Sequence, residues 1–306
     1  MNNDLISVIV PAHNCEKTIR RCIESIEGQT YSNIEVVIIE NKSSDKTVNE
    51  ILKIEKEYNN IKFIQIEIPN VSAARNKGME CSNGKYITFC DSDDYVSEKW
   101  IETLYEMIKR NDNCMPCIGF TRNDSFEMKT TEIKLDNPIL EANICDSVGG
   151  YVWNKLFKKD IVAQNNIKFD EEIYILEDLL FVSEYSKFID FILFNDSKLY
   201  KYEINQNSTT NKINLMKRYS MINALKKIMC IVNEENKITI YNQLMRIICT
   251  NYKITLFSKE NKKKYYLKKI IKEYENLYGL YPFDKSWKIK EKIYKFLVNI
   301  TKKVIK

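Results

Sequence analysis

The stretch KYITFCDSDDYV, Lys85 to Val96, places three carboxylates, Asp91, Asp93 and Asp94, within four positions at the end of a strand-forming run. Like charges this close repel and raise one another's pKa, so water, a helix N-terminus or a cation must offset them. Carboxylate oxygens suit hard cations such as Mg²⁺ and Mn²⁺, which commonly bridge to phosphate. An Asp-x-Asp spacing in an extended turn lets one side chain meet a metal and the other a ribose or a water. The simpler alternative is a solvated turn whose acids favour the start of the next helix, near Ser97.

That chemistry requires elements that carry the cluster to a pocket. LISVIVPA, IEVVIIE, IKFIQIEI and KYITFC read as strands, the first two as the unbroken apolar runs of parallel strands buried on both faces. Between them KTIRRCIESIEGQ, with Ile19, Cys22, Ile23 and Ile26 at helical spacing and Gly28 as a stop, reads as a helix. TVNEILKIEKEY and SAARNKGMECS read likewise, the latter capped by Ser72, and Ser97 is placed to cap EKWIETLYEMIKR. This alternation predicts a doubly wound α/β sheet with ligands beyond the carboxyl ends of its strands. VPAHN, ENKSSD and NVSAARNKG should therefore meet the acidic cluster along one sheet edge. Arg75, just inside a short helix, is placed to pair with phosphate or a base edge; in isolation it reads first as a surface arginine.

After Asn111 the pattern shifts. CMPCIGFT and KTTEIKL read as strands of a mixed extension of the sheet, VWNKLFKKDIV and EDLLFVSEYSKF as helices, and DFILF with KLYKYEI as a strand pair. NQNSTTN is a polar loop, and the remainder is mostly helical. Lys155 in WNKLF is either near an acceptor or diphosphate or a solvated helix lysine.

The 306 residues, 44% hydrophobic and 29% charged, describe a globular chain with ample length for a core. No apolar run approaches the roughly 20 residues that span a bilayer, and the N-terminus enters a strand without a signal-peptide layout. Nine cysteines, an odd number without export signals, predict reduced thiols in a cytoplasm. Cys114 and Cys117 have zinc-knuckle spacing but no second pair, and their apolar neighbours favour a buried strand. His13 is the only histidine, which excludes a His-rich metal site. Residues 258–306 hold 15 Lys against 5 acids, a charge of +10, leaving −5 on the rest of a chain whose net charge is +5. The body is therefore not a nucleic-acid binder.

SVIVPAHNCEKTIRRCIESIEGQTYSNIEVVIIENKSSDKT, VSAARNKGMECSNGKYITFCDSDDYV, VWNKLFKKD, FDEEIYILEDLLF and YKYEINQNS, in this order, resemble a family 2 glycosyltransferase with the GT-A fold. The similarity runs from about Ser7 to Ser208. It implies a GT-A catalytic domain over 1–210, with a nucleotide-sugar-binding half (1–110) and an acceptor half (111–210), followed by a helical basic region (211–306). It also implies a nucleotide-sugar donor, usually a UDP-sugar, a Mn²⁺ or Mg²⁺ cofactor, and inversion at the anomeric carbon. The acceptor would be a glycan or lipid-linked hydroxyl in capsule, exopolysaccharide or lipopolysaccharide assembly.

By motif, Pro11, Ala12 and His13 would form the first nucleotide-contacting loop, with Glu16 beside it. Asn41 falls where the family has an Asp facing the uracil ring, and Arg75 matches an Arg of the same pocket. Asp91 would face the ribose, Ser92 would adjoin it, and Asp93, with Asp91, would serve the metal. Asp178 matches the catalytic base, with Glu177 as the adjacent candidate. Read without the family, EDLLF is an acidic first turn complementing a helix dipole. Two departures stand out: His13 for the usual Tyr, and Asn41 for Asp. An amide oxygen still accepts from a ring N–H, but an amide also donates. Glu40 is a neighbouring carboxylate, although strand alternation sends it the other way.

Two other functions fit parts of the sequence. A nucleotidyltransferase would show a Gly-rich basic loop after the first strand, which VPAHNCEKT lacks. A catalytically silent sugar-nucleotide sensor or scaffold fits Asn41, against the retention of Asp91, Asp93 and Asp178. In the tail, Ile293, Phe296, Leu297, Ile300 and Val304 fall on one helical stripe, with Trp287 near its start and Lys288, Lys292, Lys295, Lys302 and Lys303 around it. Such a helix either lies peripherally on the anionic inner face of the cell membrane or packs on the protein's own core or on a second subunit of a homodimer.

Overall fold

The computed structural model describes residues 4–122, 125–204, 214–282 and 287–305. The NQNSTTN loop lies outside the described residues. The chain divides into two compact units, one of residues 1–171 and 177–205, the other of residues 172–176 and 206–306.

In the first unit the order is β1 (Ile6–Ala12), α1 (Ile19–Glu27), β2 (Ile34–Asn41), α2 (Thr47–Glu57), β3 (Ile61–Ile66), α3 (Val71–Cys81), β4 (Tyr86–Phe89), β5 (Tyr95–Val96) and α4 (Trp100–Arg110). It continues with β6 (Cys114–Thr121), β7 (Glu132–Leu135), α5 (Pro138–Ile144), β8 (Phe157–Lys158), α6 (Lys159–Gln164), α7 (Glu177–Tyr185) and β9 (Phe191–Lys201). A five-stranded sheet runs β3-β2-β1-β4-β8, parallel except for the β4–β8 pair. β1 is buried along its whole length and β2 along nearly all of it, as their unbroken apolar runs require. α3 lies close on β1: a Cβ on Gly78 would meet Ile9 Cγ2 at 2.3 Å, so only glycine allows the approach.

The second half departs from the expected extension of the sheet. β5, β9 and β6 form a separate sheet, with β7 on β9, and only the two residues of β8 join the main one. FILF of the first run and KLYK of the second belong to a single strand, β9, rather than to a pair, because the residues between them continue it without a turn. VWNKLFKKDIV is not one helix. It is a buried irregular segment that leads into β8 and the short α6. A run apolar at most positions buries equally well in either form, so periodicity could not separate them. Lys155 is neither solvated nor turned to a ligand. It is fully buried, and its ammonium donates to the carbonyls of Val148 (2.7 Å), Gly149 (2.9 Å) and Tyr151 (2.8 Å) and to Asn154 Oδ1 (2.8 Å). Burial lowers its pKa, and these four acceptors offset the cost of the charge.

Both expected helix caps move. Asn70 caps α3, accepting from Ala73 N at 3.2 Å, while the Ser72 hydroxyl is buried without a partner. α4 begins at Trp100, three residues beyond Ser97. Cys114 and Cys117 are buried in β6, and all nine cysteines are free thiols.

The second unit holds α8 (Leu215–Ile231), α9 (Glu234–Phe257), α10 (Lys263–Leu277) and α11 (Lys288–Ile305). Asn214 and Asn233 cap the first two through their side chains. Among the described residues no helix is long and apolar enough to cross a membrane.

Candidate active site

The ends of β1 and β2 are joined by their loops. Asn14, at φ 50°, donates its backbone N–H to Ser43 Oγ (2.9 Å), and its Oδ1 accepts from Ser44 N (2.8 Å). Glu16 completes the brace by accepting from Lys46 N at 2.9 Å. Pro11 and Ala12 are buried at the strand end, and His13 is exposed. His13 Nδ1 lies 2.8 Å from the Asn41 carbonyl, and Nε2 lies 3.1 Å from Asn14 Nδ2. A carbonyl only accepts and an amide NH₂ only donates, so these contacts select the neutral tautomer with the proton on Nδ1. Asn41 is buried, and its Oδ1 has no hydrogen-bond partner. A buried acceptor left in that state costs stability unless a ligand supplies a donor. Glu40 turns the other way, as alternation demands: it accepts from Ser43 N and, at 3.1 Å, from Gln65 Nε2.

The crowding of the acidic cluster is resolved by sending its members in different directions. Asp94 turns inward and accepts from Tyr200 Oη (2.7 Å) and Glu203 N (2.8 Å). Burial, with Asp91 and Asp93 adding to it, pushes its carboxyl up to about 9. Its two hydrogen bonds make it a structural pin for the turn. Ser92 is buried beside it. Asp91 Oδ1 accepts from Arg75 Nη2 at 3.1 Å. Asp93 is half-buried, and its carbonyl accepts from Arg21 Nη2 at 2.9 Å.

Arg75 is the hub. Only 3% exposed, it binds Asp178 Oδ1 at 2.6 Å and Glu177 Oε1 at 3.4 Å through Nη1, and its guanidinium lies 5.3 Å from the centroid of the Phe169 ring. Burial works against its charge, yet Asp178, Asp91 and Glu177 together hold its pKa above the ordinary value. Glu177 and Asp178 open α7 directly after Leu176, a non-glycine residue at φ 71°. A branched side chain in that left-handed region stores backbone strain at the turn that presents both acids. Burial raises the Asp178 carboxyl to about 8 against the downward pull of Arg75, with Glu177 and Asp91 adding to the rise.

The donors fit a shared cation better than a protein-only cage. Among the described residues no group of three or more His, Cys, Asp or Glu could hold a metal. Asp94 is turned inward and Asp91 gives one oxygen to Arg75; the oxygens this turn could offer a cation are the second one of Asp91 and those of Asp93. Mg²⁺-type ions are commonly held by one or two carboxylates plus substrate phosphates and water, and this set suits that use.

The motifs gave no sign of the roles of Asn14, Ser43, Ser44 or Tyr200. The first three carry generic loop chemistry, and Tyr200 reaches the acidic turn only through the pairing of β5 with β9.

The model of glycosyl transferase family 2 matches residues 7–168, and the chain belongs to that family. The glycosyltransferase GlyA of Streptococcus pneumoniae is 28% identical over 276 residues, covering 81% of this chain and 38% of its own length. The poly(ribitol-phosphate) beta-glucosyltransferase of Bacillus spizizenii is 27% identical over 183 residues, covering 58% of this chain and 28% of its own. The chain spans 38%, 63% and 64% of three of the curated relatives it matches. Among solved structures, S. aureus TarS 1–349 in complex with UDP-GlcNAc superposes with a TM-score of 0.71 at 21% identity, covering 89% of this chain and 81% of TarS 1–349. The shared fold is the GT-A arrangement followed by a helical C-terminal region.

Proposed function

We propose that the chain is an inverting, metal-dependent glycosyltransferase, with residues 1–210 as its catalytic domain. It would move a sugar from a nucleotide-sugar, a UDP-sugar, to a hydroxyl of a glycan or lipid-linked acceptor in cell-surface polysaccharide assembly. The observation that carries this reading is the Arg75 hub, which holds the candidate base Asp178 and the acidic turn on one buried guanidinium. Complexes of TarS with UDP and with UDP-GlcNAc support the choice of donor.

In this reading the Asn41 amide oxygen accepts from the base, and the fixed His13 ring borders the same pocket. Asp93, with the second oxygen of Asp91, would hold a Mn²⁺ or Mg²⁺ ion, which would supply charge compensation for the leaving diphosphate. Asp178 takes the proton of the acceptor hydroxyl as it attacks from the opposite face of the sugar. Its carboxyl must be ionised for that, so kcat/KM should rise with pH and level off above about 8.

The test is UDP release from UDP-Glc, UDP-Gal, UDP-GlcNAc, UDP-GalNAc and UDP-GlcA with Mn²⁺. Turnover is expected with one of them; UDP binding without turnover would make the chain a sensor instead. Asp93→Ala and EDTA should each lower the rate by ~10²-fold or more, the loss of a catalytic charge contact. Full activity in EDTA would remove the metal from the mechanism.

The tail adds a proposed peripheral contact with anionic membrane. α11 uses Val298 and Thr301 for its own packing, Thr301 Oγ1 lying 2.5 Å from Tyr252 Oη on α9. Ile293, Phe296 and Ile300 remain 53%, 64% and 45% exposed, with Lys295 exposed among them. Ile293, Tyr294 and Leu297 line a cleft of about 430 Å³ against Leu256 and Phe257. The side chains of Lys288, Lys292, Lys303 and Val304 are not among those described. The full chain should co-sediment with anionic but not neutral vesicles at low salt, and Phe296→Asn with Ile300→Asn should release it. Equal sedimentation of that variant would leave the stripe without a membrane role.

A further inference from the structure

Residues outside the donor pocket build a strip of aromatic rings. Tyr151 stacks on Trp153 (centroids 4.7 Å apart, planes at 17°), and Trp153 stacks on Tyr200 (4.2 Å, 17°). Tyr202 lies parallel to Trp153 at 6.0 Å, and Phe120 meets Trp153 edge-on at 5.0 Å. Trp153 and Tyr200 are buried backing, whereas Tyr151, Phe120 and Tyr202 are half-exposed.

The strip connects the two chemical ends of the site. At one end Tyr200 Oη accepts from Asp91 N at 3.1 Å and donates to Asp94. At the other, Tyr151 follows Gly150, where a Cβ would lie 2.6 Å from Leu179 Cα, so this loop presses on the first turn of α7 beside Asp178. Lys155 fixes the loop through the carbonyls of Val148, Gly149 and Tyr151. Arg122 is exposed, with its guanidinium 5.5 Å from the Phe120 centroid and 5.7 Å from that of Tyr202. Among the described residues it has no carboxylate partner. A guanidinium held by ring faces presents its N–H fork outward, in the geometry that grips carboxylate or phosphate.

We propose that Tyr151, Phe120 and Tyr202 seat the acceptor saccharide, and that Arg122 binds an anionic group on that acceptor. The inference rests on the glycosyltransferase reading and names its second substrate. Ring C–H groups of a pyranose carry partial positive charge and match the negative face of an aromatic ring. A sugar lying on the strip between the acidic turn and α7 would reach Asp178 with a hydroxyl, while its anionic group would extend toward Arg122.

Saturation-transfer NMR on the full chain tests this with methyl glucoside, glucose 6-phosphate, glucuronic acid and inorganic phosphate as probes, and UDP as the donor-site control. At least one anionic sugar should bind about ten-fold more tightly than methyl glucoside, the ratio expected of a charged hydrogen bond over none, and more tightly than phosphate alone. The better of the two anionic sugars identifies the anion. Arg122→Met should remove that advantage and leave UDP binding unchanged, and Tyr202→Leu should weaken all three sugars alike. Phosphate binding as tightly as the sugar phosphate, unchanged binding by Arg122→Met, or no sugar binding by a chain that binds UDP would each overturn the proposal. A wild-type chain that fails to bind UDP would instead remove the glycosyltransferase reading on which it rests.

Discussion

Asp178→Asn is expected to lower turnover by ~10²–10⁴-fold, the usual contribution of a general base, with UDP-sugar binding retained. The amide keeps the size of the carboxyl, and its oxygen still accepts from Arg75, but it cannot take the acceptor proton. A stability measurement separates this from general damage. The Asp178 carboxyl is raised from 3.8 to about 8, so its favourable contribution is fully present below about 4 and is lost as pH rises through 8. Asparagine does not titrate. The variant should therefore gain in thermal stability relative to the wild type between pH 5 and pH 9, while remaining inactive throughout. An active Asp178→Asn beside an inactive Glu177→Gln would move the role to Glu177, which binds the same guanidinium at 3.4 Å.

Arg75→Met should have the largest effect on stability. It leaves Asp91, Glu177 and Asp178 facing one another without their shared cation, and breaking a buried ion pair on one side costs about 3–5 kcal/mol. The loss should be smaller at pH 4.5, where the Asp178 carboxyl is protonated, than at about pH 8 and above, where it ionises without the guanidinium that faces it. Thermal unfolding at pH 4.5 and pH 8 measures the difference, and equal destabilisation at both would show that Arg75 acts through packing on Phe169 rather than through charge. Arg75→Lys should fall between the two, because an ammonium restores the charge but cannot reach three carboxylates as a planar fork does.

Residues 1–110 were readable because their signals are local. An apolar run such as SVIVPA has to be buried, and a polar loop directly after it falls at the strand's carboxyl end, so the gathering of His13, Asn41, Arg75 and Asp91 at one edge was expected. Residues 111–210 were not readable in the same way. β6 and β9 pair in parallel although β6 ends at Thr121 and β9 begins at Phe191, and nothing local marks such a partnership. Lys155 shows a second limit: a lysine surrounded by apolar residues reads as exposed unless the carbonyls that will surround it are known. The differing fates of Asp91 and Asp94 were also hidden, because the choice depends on Tyr200, 106 positions away from Asp94.

The acidic turn is also a mechanical link. β4 belongs to the five-stranded sheet and β5 to the smaller one, and Cys90 to Asp94 are all that separates them in the chain. The turn is thus a short strap anchored at both ends, by β1 on one side and by β9, through Tyr200 and Asp94, on the other. If β9 slides against β1, the strap has little slack to absorb the movement, and the strain falls on Asp91 and Asp93. A ligand seated on the rings beside β9 would therefore act on the spacing of the two carboxylates without touching either, and so would a substitution in the interior of the smaller sheet.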